Sequence, residues 1–334
     1  MEQQNKQAAS LQRGLIDHLT RQGAITTKSV EEAFRAIPRH LFLPDTPLQT
    51  VYQDTHVVSK IRDSVPISSS SQPSLMANML ELLDVQKGQH ILEIGAGTGY
   101  NAALLAHLVG ETGQVTTIDI DEDIVEAARR HLRAAGYERV QVVCGDGGLG
   151  YASGAPYDRI ILTTAASDIV PAWFEQLAPG GLLVIPLQLT PLKSRLTIDA
   201  LVTFEKRGTI LASRSVHASW FIPLRGSFAF TQQSYALGPE PGLYLTTRAH
   251  VKPSALYAAL LTNGRDEPTE VRMLQGEVSG LNLWLALQAH DFCDIVAENT
   301  WMTRQIIPVM LQLGLPTLVV ATYGLCEGET LALL

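Results

Sequence analysis

Cysteine is scarce in this 334-residue chain: Cys144, Cys293 and Cys326 stand far apart, and no CxxC occurs. That excludes a disulfide framework and a cysteine-held zinc cluster, and it suits a reducing compartment. Charge is also sparse, at 17% Asp, Glu, Lys and Arg, yet a hydrophobic fraction of 46% is far too high for a disordered chain. The charge present leans acidic, 33 Asp and Glu against 25 Lys and Arg, for a formal net charge of −8. Broad binding to nucleic acid needs concentrated Lys and Arg, so that partner class drops out. No apolar run nears the roughly 20 residues of a membrane span. The start, MEQQNKQAAS, lacks the apolar core of a secretory leader. No HxxxH occurs, and His290, Asp291, Cys293 and Asp294 read as a helix end rather than a metal site. These absences predict a soluble cytoplasmic protein with no metal, membrane or nucleic acid as partner.

What is present changes character twice along the chain. Residues 1–85 read as a mainly helical segment. Leu11, Leu15 and Leu19 recur at helical spacing up to Gly23, and Ser29-Val30-Glu31-Glu32 predicts a capping box opening a second helix that stops before Pro38. Residues 62–73 are polar and serine-rich, a loop by composition, with a helix from Ser74 to Leu83 behind it. Over residues 86–230, short β-branched runs (HILEI, QVTTIDI, VQVVC, RIILTT, LLVIPL) alternate with helical ones such as NAALLAHLV and EDIVEAARRHLRAAG. That alternation predicts an α/β fold with a mostly parallel, doubly wound sheet. LTIDALVTFEK and ILASRSVHASWFI, joined at Arg207-Gly208, predict a hairpin at its edge. A turn-rich linker runs from Thr231 to Gly242. Residues 231–334 then read as a small α+β extension with helices PSALYAALLTNG and GLNLWLALQ, strands LYLTT and TLVVATYG, and a closing apolar strand at Leu331-Ala332-Leu333-Leu334.

The sharpest feature is Glu93-Ile94-Gly95-Ala96-Gly97-Thr98-Gly99, where the first parallel strand turns into a helix. Glycines let the backbone turn tightly and approach a ligand, and open α/β sheets bind ligands beyond their strand carboxyl ends. A dinucleotide site requires G-x-G-x-x-G, but Tyr100 stands where the third glycine belongs, so a nicotinamide-dependent dehydrogenase fails on spacing. The acid-x-G-x-G-x-G pattern instead resembles motif I of class I S-adenosylmethionine-dependent methyltransferases, which have a Rossmann-like fold. Asp119 closes the second strand, 20 residues after Gly99, where a carboxylate can accept both ribose hydroxyls. Gly145-Asp146-Gly147 follows the third strand and resembles the segment whose acid accepts from the adenine amino group. Taken singly, Asp119 and Asp146 would serve as well as helix caps or solvated loop residues. In register with the glycine loop they imply S-adenosylmethionine as cofactor and S-adenosylhomocysteine as product, with Ala96, Thr98 and Ile120 completing the candidate site. Asp121 reads as the cap of the helix that follows.

The fourth strand ends in Thr163-Thr164-Ala165-Ala166, without the Asn/Asp-Pro-Pro-aromatic clamp of enzymes that methylate a base. Ala33-Phe34-Arg35-Ala36-Ile37-Pro38-Arg39-His40-Leu41-Phe42, Ser71-Gln72-Pro73, GDGGLGYASGAPYD (145–158) and LAPGGLLVIPL (177–187) together resemble the protein-L-isoaspartate O-methyltransferase family over about residues 10–226. The resemblance implies a carboxyl methyltransferase, with Ser71 as the active-site serine and Ser69 as the preceding hydroxyl. A carboxylate is already ionised at neutral pH and needs no general base. What transfer requires is an oxygen held in line with the sulfonium, roughly 3 to 3.5 Å away. Hydroxyl and N–H donors can orient the acceptor without adding a competing charge. By composition alone, 68–71 would be a flexible loop capping the next helix.

Two departures from the family stand out: four serines run together where an apolar residue usually separates the hydroxyls, and about 100 residues follow the methyltransferase core. Both resemble a branch that methylates an ordinary aspartate of a ribosomal precursor peptide, whose ester closes to a succinimide. The expected partner is therefore a peptide or protein bearing aspartate or isoaspartate. The departures lean toward a dedicated ribosomal peptide, with general isoaspartyl repair as the alternative. The apolar stretch Leu281–Leu287 of the extension would then hold that peptide, or simply be core. A non-catalytic S-adenosylmethionine- or nucleotide-binding module is the reading from another class.

Overall fold

The computed structural model describes residues 2–63, 65–188, 199–229, 234–247, 249–262, 288–289, 291–298, 311–313, 319–327 and 330–333. The chain divides into two compact units, Met1–Leu187 with Ala200–Phe230, and Gln188–Asp199 with Thr231–Leu334.

The first unit opens with α1 (Glu2–Arg21), α2 (Lys28–Ala36) and the short α3 (Leu48–Val51). Leu15 and Leu19 of α1 are buried and Leu11 is partly buried, in line with the leucine spacing, and Ile16 joins them. The capping box at Ser29 does not form. Thr27 caps α2 instead, its hydroxyl accepting from Val30 N at 3.4 Å, while Thr26 N and Thr27 N donate to the Glu81 carboxylate at 2.8 and 2.9 Å. A tertiary acceptor thus decides where the helix starts, and Glu32 is left to an exposed ion pair with Lys28.

The serine-rich stretch is also not a loop. Val57–Arg62 (β1) and Val65–Ser70 (β2) pair antiparallel, Val57 opposite Ser70, with register shifts near Lys60. Composition hides this hairpin because its buried positions carry Ser68 and Ser70. Helix α4 follows from Pro73 to Leu83, with proline in its first turn, where the missing N–H costs nothing.

The remaining elements are β3 (His90–Ile94), α5 (Tyr100–Val109), β4 (Gln114–Asp119), α6 (Glu122–Ala134), β5 (Gln141–Cys144), β6 (Tyr157–Leu162), α7 (Pro171–Gln176), β7 (Leu177–Gln188), β8 (Asp199–Arg207) and β9 (Ile210–Ser219). They form one sheet in the order β5-β4-β3-β6-β7-β8-β9. The pairs β3–β4, β4–β5, β3–β6 and β6–β7 are parallel. Strand alternation sorts side chains into two cores: Ile91, Val115 and Ile161 join the core shared with α1, α2, α4 and α5, while Leu92, Ile94, Ile118 and Ile160 face the one built around Trp173. The strand order reverses between β3 and β6, which opens a crevice at the carboxyl end of β3. The β8–β9 hairpin lies at the edge as predicted, but β9 ends at Ser219; the next residues leave it to bridge the end of β6, Ala165 N donating to Ile222 O at 2.9 Å and Leu224 N to Ala165 O at 2.7 Å.

The second unit carries β10 (Ser234–Ala236), β11 (Leu243–Thr247), α8 (Pro253–Leu260), β12 (Phe292–Glu298), β13 (Leu311–Leu313), β14 (Val319–Glu327) and β15 (Thr330–Leu333). Its antiparallel sheet has the order β10-β11-β12-β14-β13, with β15 pairing β14, so the closing apolar strand pairs within the chain. Part of the expected linker is itself the strand β10. Leu243, Leu245, Leu256 and Ile295 belong to its own core. The helix expected at 280–288, with Leu281–Leu287, lies outside the described residues except at its last position, as does His290. No helix among the described residues is long and apolar enough to cross a membrane.

Candidate active site

A cavity of about 410 Å³ lies in the crevice beyond β3, lined by Gly95, Ala96, Gly97, Thr98, Asp119, Ile120 and Gly147 together with Ser68 to Ser71. The glycine loop is fastened from behind: Gly95 N and Ala96 N donate to Ile118 O of β4 at 2.8 and 3.0 Å. Gly95 has φ +101°, and a side chain there would collide with the Thr163 hydroxyl. Residue 97 faces the hairpin, where a Cβ would sit 3.5 Å from Ser69 O. The two halves of the site predicted separately from sequence, glycine loop and serine tract, therefore share one cavity.

Asp119 projects into it from the end of β4. Burial pushes its carboxyl above the usual range, against donation from Gly97 N at 3.1 Å and Asp121 N at 3.4 Å, with Arg225 at 3.9 Å. Ser70 Oγ and Thr164 Oγ1 are buried without a hydrogen-bond partner, and both residues line the same cavity. An acid at the strand end, a glycine-rich backbone loop and unspent hydroxyls form a donor and acceptor set that fits an adenosine-bearing cofactor and a polar acceptor.

Four expected cofactor contacts lie off the cavity lining. Glu93 is fully buried beneath the loop, accepting from Asn101 Nδ2 at 2.7 Å and Thr117 Oγ1 at 2.6 Å, so it ties β3 to α5 and β4. Burial raises its carboxyl to about 7 in spite of those two donors. Gly99, φ +86°, caps α5 and lets it pack close to Ala128 and Leu132 of α6. Gly145 is also set back. Asp146 accepts from Gly148 N at 2.9 Å and from Ser227 N at 2.7 Å; burial pushes its carboxyl up, but these donors hold it below the usual range. Asp121 stands at the N-cap of α6 without capping it. Its carboxylate accepts instead from Arg62 at 2.8 Å and Arg225 at 2.6 Å.

The segment after β9 is what periodicity missed. Ser219 to Arg225 line the cavity, and His56 meets Trp220 with ring centroids 6.4 Å apart. These residues leave their strand and are held by the bridge between Pro223 and Ala165, just beyond β6. Only the arginine after Phe221-Ile222-Pro223-Leu224 offered a chemical signal.

A doubly wound sheet with an acid-x-G-x-G-x-G loop after β3 and an acid closing β4 fits the class I S-adenosylmethionine-dependent methyltransferases. Residues 10–228 match the family described as protein-L-isoaspartate(D-aspartate) O-methyltransferase. The protein-L-isoaspartate O-methyltransferase 2 of Archaeoglobus fulgidus is 37% identical over 216 residues, 64% of this chain and 93% of that one. The protein-L-isoaspartate O-methyltransferase of Hyperthermus butylicus is 38% identical over 231 residues, 66% and 90% of the two chains. A solved protein-L-isoaspartate O-methyltransferase superposes with a TM-score of 0.59 at 35% identity, covering 65% of this chain and 67% of that one. The chain belongs to this family, and it is a S-adenosylmethionine-dependent carboxyl methyltransferase.

Proposed function

We propose that the enzyme esterifies the α-carboxylate of an isoaspartyl residue in peptides and proteins, the step that opens repair through a succinimide. S-adenosylmethionine supplies, when bound, a methyl group on a sulfonium. In this reading the backbone of Gly95 to Thr98 cradles it, Asp119 accepts from its ribose, and Ile120 and Gly147 flank its base. Ser71 and Ser69 donate to the acceptor carboxylate, which arrives ionised and needs no base. The single observation that carries the proposal is the shared cavity: the serine tract faces the glycine loop and Asp119 within one enclosure. The names of the relatives support isoaspartate as the acceptor, and the lean toward a dedicated ribosomal peptide finds no support among them.

Labelled S-adenosylmethionine offered with an isoaspartyl peptide, its aspartyl twin and a candidate precursor peptide tests this. Label is expected on the isoaspartyl peptide alone. Transfer only to the precursor peptide would replace repair with maturation, and cofactor binding without any transfer would leave a binding module.

A further inference from the structure

Arg39 is a buried cation that the reading above leaves unused. It is 1% exposed, follows α2 in the stretch Ile37-Pro38-Arg39-His40, and does not line the cavity. Its Nη2 donates to Ser71 O at 3.0 Å and Ser70 O at 3.4 Å, its Nη1 approaches Met76 Sδ at 3.9 Å, and its guanidinium lies 5.5 Å from the Tyr100 ring centroid. Its Nε has no partner, and it makes no ion pair within 4 Å among the described residues, although the Asp54 carboxylate attracts it from further off. Burying a cation without a paired anion is costly, and an apolar side chain of the same volume would be tolerated there more cheaply. Two backbone carbonyls alone do not explain a full charge.

The peptide geometry does. C=O and N–H of a trans peptide point in opposite directions. Clamping the Ser70 and Ser71 carbonyls toward Arg39 turns the N–H groups of Ser71 and Gln72 the other way, and all three residues line the cavity that Arg39 does not. We propose that Arg39 is a positioning residue for the acceptor: it holds the backbone at Ser70 to Gln72 with N–H groups presented to the substrate carboxylate, and its charge behind them favours an anion in spite of Asp54, whose carboxylate is taken up by Gln72 Nε2 and Ser74 N. A lysine could supply the charge, but not the planar guanidinium whose Nη2 bonds both carbonyls while Nη1 reaches Met76 and the group lies near the Tyr100 ring. The inference rests on the carboxylate acceptor proposed above.

The test uses the full-length protein saturated with S-adenosylhomocysteine, with calorimetric titration of an isoaspartyl peptide and of its α-carboxamide twin. The wild type is expected to favour the acid. In Arg39→Met that preference should fall about tenfold, while affinity for S-adenosylhomocysteine stays within about twofold. Arg39→Lys should keep part of the preference. A purely structural role would weaken acid and amide alike, so an unchanged acid-to-amide ratio overturns the clamp. Should Arg39→Met not fold, Arg39→Lys decides: a ratio lowered at least about threefold supports the clamp by a guanidinium, and an unaltered one overturns it. A wild type with no preference for the acid would instead sink the carboxylate reading, and the clamp with it.

Discussion

At the scale of single residues, Glu93 sits fully buried in surroundings that oppose its ionised form. A carboxyl that ordinarily titrates at 4.5 is raised to about 7 by burial under the glycine loop. The folded state therefore holds its proton more tightly than the unfolded chain does. Glu93 contributes its full stabilisation below about pH 4.5 and loses it as pH rises through 7. Each unit of separation is worth about 1.4 kcal/mol, so above neutrality the buried carboxylate costs on the order of 3 kcal/mol. Glu93→Gln keeps the shape without the ionisation. Urea unfolding at about pH 5 and about pH 8 should show the variant gaining up to about 3 kcal/mol on the wild type at the higher pH. Parallel pH profiles would mean that Glu93 ionises in place at no cost. The sequence makes Glu93 look like a ligand contact, since it stands at the head of the glycine motif. What decides otherwise is strand alternation, which points residue 93 the same way as Ile91, into the core beneath the loop.

At the scale of elements, two straps converge on one acid. The β1–β2 hairpin reaches Asp121 through Arg62, and the segment after β9 reaches it through Arg225; Lys60 adds an ion pair to Asp123 on the same α6 terminus. Asp121 is 11% exposed while Arg62 and Arg225 are 48% and 31% exposed, so the acid is held and the cations come to it. Asp121→Asn should loosen both straps and let S-adenosylhomocysteine leave about tenfold faster in stopped-flow displacement, more so at low salt. An unaltered dissociation rate would show that the straps do not guard the cavity. The parallel sheet, its glycine loop and the edge hairpin were legible in the sequence because alternation and spacing are local signals. The β1–β2 hairpin and the Thr27 cap were not. The first buries serines, which hydropathy scores as loop, and the second depends on Glu81, more than 50 residues away. Arg225 was out of reach for the same reason, since its partners lie over 100 residues earlier.

At the scale of the whole molecule, the question is which unit carries the chemistry. Every cavity-lining residue and both large cores fall within the first unit, whereas the second has a core of its own. The Archaeoglobus relative is aligned over 93% of its length against 64% of this chain, which leaves little of it to correspond to the second unit. A fragment ending at Phe230 removes most of that second unit while keeping Arg225, Gly226 and Ser227, which reach Asp119, Asp121 and Asp146. It should bind S-adenosylhomocysteine within about threefold of the full chain and still methylate an isoaspartyl peptide. Cofactor affinity is the stricter readout, because in the proposed reading it rests on the glycine loop and Asp119, which the fragment keeps. A fragment that folds but binds the cofactor more than about tenfold more weakly would make the second unit part of the catalytic body. If affinity holds while the fragment accepts peptides that the full chain refuses, acceptor choice resides in residues 231–334 and the chemistry does not.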